Sequence, residues 1–182
     1  MEERKVPVTL VTGFLESGKT TALKNILERG FGDFSGVTLL IDSEEESIET
    51  YDPEVLMERN VVLVDIDGPF LITHDNLADL DQKYHPSQVF IEYNGMASVR
   101  YLDKLKWPEG WFIDRQLTIF DAGVFAIYKK RLPTNIRDMV RNTTVILFNR
   151  LENISGKGTE EDREEWNQYL HGINPDARIF YE

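Results

Sequence analysis

The chain has 182 residues, 41% of them hydrophobic and 29% charged, with a formal net charge of −12. Those proportions suit one globular domain with a sizeable core, and the acidic balance argues against nucleic acid or an anionic membrane as a main partner. The sequence contains no cysteine, which excludes disulfides, thiolate metal sites and cysteine nucleophiles. With no apolar run of membrane-spanning length and no signal-peptide pattern in Met-Glu-Glu-Arg-Lys at the start, a cytoplasmic location is the expectation.

A β-prone run over Val6–Thr12 opens the pattern and leads into Gly13-Phe14-Leu15-Glu16-Ser17-Gly18-Lys19-Thr20-Thr21. The spacing is G-x-x-x-x-G-K-T, and Leu23, Ile26 and Leu27 then share one face of an expected helix over Lys19–Glu28, with Gly30 as its stop. Strand, glycine loop and helix in this order form a phosphate-binding P-loop. Gly13 and Gly18 give the backbone the freedom to turn successive N–H groups, those of Glu16 and Ser17 among them, toward a phosphate chain. The helix that follows aims its free N–H groups and positive dipole end, at Thr20 and Thr21, at the same anion. Lys19 adds a full charge near the β- and γ-phosphates, and the Thr20 hydroxyl is a ligand for Mg²⁺.

Beyond the loop, apolar runs alternate with helical patterns, which predicts an α/β fold: a three-layer sandwich around a mostly parallel sheet. Strands are expected near Val37–Asp42, Asn60–Ile66, Gln88–Glu92, Gln116–Phe120, Thr144–Asn149 and Arg178–Tyr181. Helices are expected near Asp75–Tyr84, Ser98–Leu105, Ala122–Lys130, Asn135–Arg141 and Thr159–Leu170, with a shorter one capped by Asp52 and started by Pro53. In such sheets ligands bind at the carboxyl ends of the strands. Those ends carry Gly13, Asp42, Asp65, Glu92, Asp121 and Asn149.

Three of these positions point to magnesium and a nucleotide. Val89-Phe90-Ile91-Glu92 ends in a carboxylate suited to a magnesium-bound water, and the Gly95 amide is placed to sense a γ-phosphate. Asp65, after Val61-Val62-Leu63-Val64, is the fallback acid, and Asp42 a further metal candidate. Ser43-Glu44-Glu45-Glu46 reads as a solvated, mutually repelling surface run, with closure onto magnesium as the alternative. Asn149-Arg150-Leu151-Glu152 stands where GTP-binding proteins usually carry N-K-x-D. Arg150 can stack through its stem and guanidinium plane, while the extra methylene of Glu152 moves its acceptors, so ATP stays open beside GTP.

The residues 7–21 resemble the opening of the CobW-type GTPases, a class of metal- and cofactor-handling P-loop proteins. Ile91-Glu92-Tyr93-Asn94-Gly95-Met96-Ala97 resembles the family's I-E-x-x-G-x-A segment, Leu117–Ala122 its V-V-D-A strand, and Asn174-Pro175-Asp176-Ala177 its N-P-x-A end. Three features depart from the family. Pro69, Leu71 and Ile72 stand where a G-C-x-C-C metal motif would follow Gly68, so zinc or cobalt cannot be held there through thiolates. His74 is the nearest nitrogen ligand and reads as a surface histidine. N-R-x-E replaces N-K-x-D, and without the family's separate C-terminal domain the chain reads either as a G domain alone or as a fragment of something longer.

The resemblance implies a P-loop GTPase that binds and slowly hydrolyses Mg·GTP as a switch in metal or cofactor handling. Lys19 and Glu92 are its expected catalytic residues, and Thr20, Glu92 and Asp42 its expected magnesium set. Gly13, Glu16, Ser17, Gly18, Lys19, Thr20, Thr21, Gly95, Asn149, Arg150 and Glu152 would hold the nucleotide. The expected partners are the nucleotide and an unidentified protein, with a homodimer open. The alternatives are a nucleotide-binding interaction module that has lost hydrolysis, or an ATP-using small-molecule kinase with Arg131, Arg137 or Arg141 in its lid.

Overall fold

The computed structural model describes residues 4–30, 33–44, 51–153 and 160–182; Glu45 and Glu46 of the acidic run lie outside them. The elements are β1 (Val6–Gly13), α1 (Lys19–Arg29), β2 (Thr38–Asp42), α2 (Pro53–Glu58), β3 (Val61–Asp65), α3 (His74–Tyr84), β4 (Gln88–Glu92) and α4 (Arg100–Asp103). They continue with β5 (Trp111–Asp121), α5 (Ala122–Arg131), α6 (Pro133–Val140), β6 (Val145–Asn149), α7 (Glu160–His171) and β7 (Arg178–Tyr181). The seven strands form one sheet in the order β3-β2-β4-β1-β5-β6-β7, every neighbouring pair parallel. Strands buried on both faces read as near-continuous apolar runs; β2, with all five residues buried, is apolar at Leu39, Leu40 and Ile41 and polar only at its two ends, Thr38 and Asp42.

Alternate side chains of each strand leave the sheet on opposite sides. On one side Leu10, Ile91, Phe120, Ile146 and Phe148 pack with Phe125, Ile136, Met139 and Trp166 from α5, α6 and α7. The other side holds Val11, Leu40, Phe90 and Ile119 under Leu23 and Leu27 of α1. Phe148 is the aromatic centre of the larger cluster. It stacks on Trp166 at 4.9 Å and on Tyr181 at 5.0 Å, with Phe125 edge-on at 4.8 Å, geometries that exploit the ring quadrupole.

Two expectations about elements need correction. The helix expected over Ser98–Leu105 is a single turn at Arg100–Asp103. Around it Tyr101, Leu102, Lys104 and Leu105 each donate to the residue three back, the tighter 3₁₀ pattern. No side chain caps the start, and an uncapped segment this short does not extend α geometry beyond one turn. Strand β5 begins at Trp111 rather than Gln116. Phe112, Ile113, Asp114 and Arg115 are all exposed, so they lack the alternation that marks a strand, and a register shift between Val8 and Thr9 of β1 accommodates them.

Candidate phosphate and base site

The carboxyl ends of β1, β2, β4, β5 and β6 meet around the loop between Gly13 and Lys19. Gly13 has φ +151°, and a Cβ there would sit 2.3 Å from the Ile119 carbonyl oxygen and 2.5 Å from Ser17 Oγ. Gly18 has φ +94°, and its Cβ would meet Asn149 Nδ2 at 2.4 Å. Gly13 therefore needs glycine on two counts, backbone angle and main-chain space, and Gly18 chiefly on backbone angle, since its close neighbour is a side-chain tip. The Ser17 N–H donates to the Phe14 carbonyl at 3.1 Å, which closes the turn. Helix α1 starts at Lys19 with no side-chain cap and no acid in its first turn, so no cap competes with an anion at its positive end. Thr21 lies on the exposed side of that turn.

Lys19 is 2% exposed. Its ammonium donates to the carbonyls of Phe14 at 2.8 Å and Gly13 at 3.2 Å, and it pairs with Glu44 Oε1 at 2.7 Å. The surface reading of Glu44 is thus overturned: its side chain is only 11% exposed. A buried ammonium requires an anion beside it, and Glu44 is the side chain that meets the requirement.

Beside Lys19, the Thr20 hydroxyl donates to Glu92 Oε1 at 2.7 Å, and the Tyr51 hydroxyl donates to Glu92 Oε2, also at 2.7 Å. Glu92 is fully buried. Burial pushes its pKa up to about 7; the Thr20 and Tyr51 hydrogen bonds pull it down, and the neighbouring charges of Asp42 and Glu44 push it up. Burial, with Glu92 next to it, likewise raises the Tyr51 phenol. Asp42 is buried and stands directly across from Glu92 in the β2–β4 register. Ser43 ties the two strand ends together: its N–H and Oγ both donate to the Glu92 carbonyl, at 3.0 and 2.9 Å, and its Oγ accepts from Asn94 N–H at 3.1 Å. Asp65 sits across from Asp42 on the far side of β2 but is exposed. The fallback acid is therefore separated from this cluster by β2.

The donor set is all oxygen: one hydroxyl and two buried carboxylates. Magnesium takes one or two carboxylates and completes its shell with phosphate oxygens and water, so these residues fit it. Among the described residues no group of three or more His, Cys, Asp or Glu side chains could hold a metal ion by itself. His74 Nδ1 is engaged with the Lys106 carbonyl at 2.9 Å.

The base motif reaches the loop from the other flank. Asn149 Nδ2 donates to the Ser17 carbonyl at 2.8 Å. Asn149 Oδ1 and Ser17 Oγ are buried with no hydrogen-bond partner among the described residues, a costly condition that a polar ligand would relieve. Arg150, at φ +55°, donates through Nη1 to the Glu16 carbonyl at 2.8 Å and to Asp121 Oδ2 at 2.9 Å. The Glu16 contribution is thus its main chain, since its side chain is exposed. Glu152 lies exposed in a 3₁₀ turn over Leu151–Asn153. Gly95 packs on the phosphate loop itself; its Cβ position is 2.2 Å from the Gly13 carbonyl oxygen.

Local sequence assigns Asp121 a place at a strand end and no role. Its Oδ1 accepts from the Gly123 N–H at 2.8 Å, capping α5, while Oδ2 holds Arg150. Replacing Asp121 with alanine should cost about 1–2 kcal/mol, roughly 1 from the lost cap and the rest from a half-exposed ion pair. A urea titration would read this as a lower midpoint at unchanged slope. Tyr51 is a site residue that sequence reasoning missed, whereas Ser43 and Glu44 read in the sequence first as part of a surface run. A cap motif at Asp52-Pro53 places Tyr51 just before a helix, but nothing local links it to Glu92.

A cavity of about 510 Å³ lies elsewhere, lined by Thr9, Ile26, Asp33, Gln116, Leu117 and Val145. It sits toward the amino ends of the strands and touches none of the loop residues. No helix among the described residues is long and apolar enough to cross a membrane.

Comparison with known proteins shows the fold and the family. The zinc chaperone CobW from a Sinorhizobium species is 25% identical, over 67% of this chain and 38% of that protein. This chain therefore spans well under half the length of that curated relative. Hydrogenase maturation factor HypB from Archaeoglobus fulgidus superposes with a TM-score of 0.62 at 16% identity, covering 98% of this chain and 81% of that one. Zn(II)-bound YjiA GTPase from E. coli gives 0.61 at 20% identity, covering 97% and 57%. These likenesses establish the fold, a P-loop sandwich. Residues 7–181 match the CobW/HypB/UreG nucleotide-binding domain, and the chain belongs to that family.

Proposed function

We propose that the domain binds Mg·GTP at the Gly13–Thr21 loop, hydrolyses it slowly, and uses the two nucleotide states as a switch in metal or cofactor handling. One observation carries the reading. A buried lysine ringed by loop carbonyls lies next to a threonine hydroxyl bonded at 2.7 Å to a buried glutamate from the neighbouring strand. That is the charge and oxygen pattern a magnesium-bound polyphosphate requires.

In this reading Lys19 stabilises charge on the phosphates, with the amides of residues 16–21 as a second source of positive potential. Thr20 and Asp42 would hold magnesium, whose chemistry would be to neutralise the phosphate oxygens, and Glu92 would hold a magnesium water or orient the attacking one. Asn149 and Arg150 form the wall of the base pocket, which supports GTP; the exposed Glu152 would have to turn inward to accept from guanine, so ATP remains the competitor to test. The names of the relatives, a zinc chaperone and a hydrogenase maturation factor, support metal or cofactor handling as the setting. Without cysteine, any cargo contact here uses oxygen, nitrogen or methionine thioether ligands.

Among the described residues no arginine or glutamine stands beside Lys19 and Glu92 to serve as a fast GTPase's finger. Turnover should be on the order of 10⁻³ to 10⁻² per second. The test is to denature purified protein, identify what nucleotide is released, and titrate GTP and ATP; retention of ATP over GTP would overturn the base assignment. Glu92→Gln should lower phosphate release about 100-fold while leaving magnesium-free nucleotide binding within a few-fold of wild type. Unchanged release in a single-turnover assay would remove Glu92 from the reaction.

A further inference from the structure

The ammonium of Lys19 has three N–H donors, and all three have partners: the carbonyls of Gly13 and Phe14 and the Glu44 carboxylate at 2.7 Å. A phosphate oxygen that binds Lys19 must take one of these places. The two carbonyls belong to the glycine loop and are fixed by its turn, so the partner that can leave is the side chain. We propose that Glu44 is an internal competitor for the phosphate site: its carboxylate occupies the position on Lys19 that a nucleotide phosphate claims, and binding requires its expulsion.

Three further observations support this. Glu44 is held in place rather than passing through, because its N–H donates to Asp42 Oδ1 at 2.9 Å, a local turn at the end of β2. Its Oε1 is buried and, among the described residues, makes no hydrogen bond beyond the contact with Lys19, so that oxygen is aimed at one cation. Asp42 and Glu92 are both buried, and Glu92 feels the charges of Asp42 and Glu44, so a polyphosphate arriving with Glu44 still in place would meet three mutually repelling carboxylates. Two anions cannot share one ammonium cheaply in a buried site. The same contact keeps Lys19 paired whenever phosphate is away, which protects the fold from a buried lone charge. A weak ligand such as inorganic phosphate is thereby screened out, and a magnesium-bound polyphosphate, with more contacts to offer, prevails.

The inference rests on the nucleotide reading of the loop, and calorimetry can separate the two. Wild type, Glu44→Gln and Glu44→Asp would each be titrated with Mg·GTP, pyrophosphate and guanosine. Glutamine keeps the shape and removes the charge, so affinity for Mg·GTP and pyrophosphate should rise about tenfold or more, with guanosine unchanged. Aspartate keeps the charge at shorter reach and should fall between. Thermal melts of the stripped proteins should show Glu44→Gln less stable without nucleotide and gaining more on saturation. Equal or weaker Mg·GTP binding by Glu44→Gln, with wild type binding normally, overturns the competitor and leaves the nucleotide site standing. Absence of any Mg·GTP binding by wild type overturns both.

Discussion

Lys19→Ala should abolish phosphate release and weaken Mg·GTP binding by at least about 100-fold, equivalent to about 2.8 kcal/mol. The loss follows from geometry. Lys19 is 2% exposed and stands at the point where the loop carbonyls and α1 converge, so no other cation can be moved in to replace it. The same change should destabilise the fold. Removing one partner of a buried ion pair leaves the other charge stranded, here Glu44, at a cost of about 3–5 kcal/mol. A double variant separates these effects. Adding Glu44→Gln removes the stranded charge, so Lys19→Ala with Glu44→Gln should recover most of the urea midpoint and none of the phosphate release. If the double variant regained hydrolysis, Lys19 would not be the phosphate-binding cation; if it stayed as unstable as the single, Glu44 would not be its partner.

What was legible in the sequence was what local chemistry dictates. The G-x-x-x-x-G-K-T spacing announces itself because two positive φ angles, at Gly13 and Gly18, and a close main-chain approach at Gly13 select for glycine. Glu92 was readable because a strand buried along its length ends there. What escaped depends on contacts between segments distant in sequence. Tyr51 reaches Glu92 across 41 positions, and Glu44 looked like one member of a repelling surface run until its buried partner Lys19 came into view. Arg150 was read as a stacking surface; in the fold its Nη1 bridges Asp121 and the Glu16 carbonyl, so it also braces the phosphate loop from the side of the base. The exposed first half of β5 carries no alternation to read, and its strand character comes from pairing with β1 alone.

Gly95→Ala should be the other severe substitution, and it distinguishes two reasons for the same glycine. If Gly95 mattered only because its amide senses a phosphate, alanine would be harmless, since it keeps the N–H. Gly95 is also absent from the residues with positive φ, so backbone conformation does not forbid alanine. Space does. A Cβ there would lie 2.2 Å from the Gly13 carbonyl oxygen, 2.7 Å from the Phe14 carbonyl carbon and 2.8 Å from the Leu15 nitrogen. All three are main-chain atoms of the phosphate loop, and none can rotate aside as a side-chain tip would. Relief requires the segment after β4 and the loop after β1 to separate, yet Tyr93 N–H, bonded to the Val11 carbonyl at 2.9 Å, pins them together two residues away. Overpacking of this kind costs about 1–3 kcal/mol in general, and the strain falls on the loop whose amides must stay aligned. Stability should therefore drop by about that amount, and Mg·GTP affinity by roughly 10- to 100-fold. Denaturant titration and calorimetry on the same preparation would show whether the two losses appear together. An alanine variant with wild-type affinity and midpoint would mean that these two segments do not touch, and that the glycine serves its amide after all.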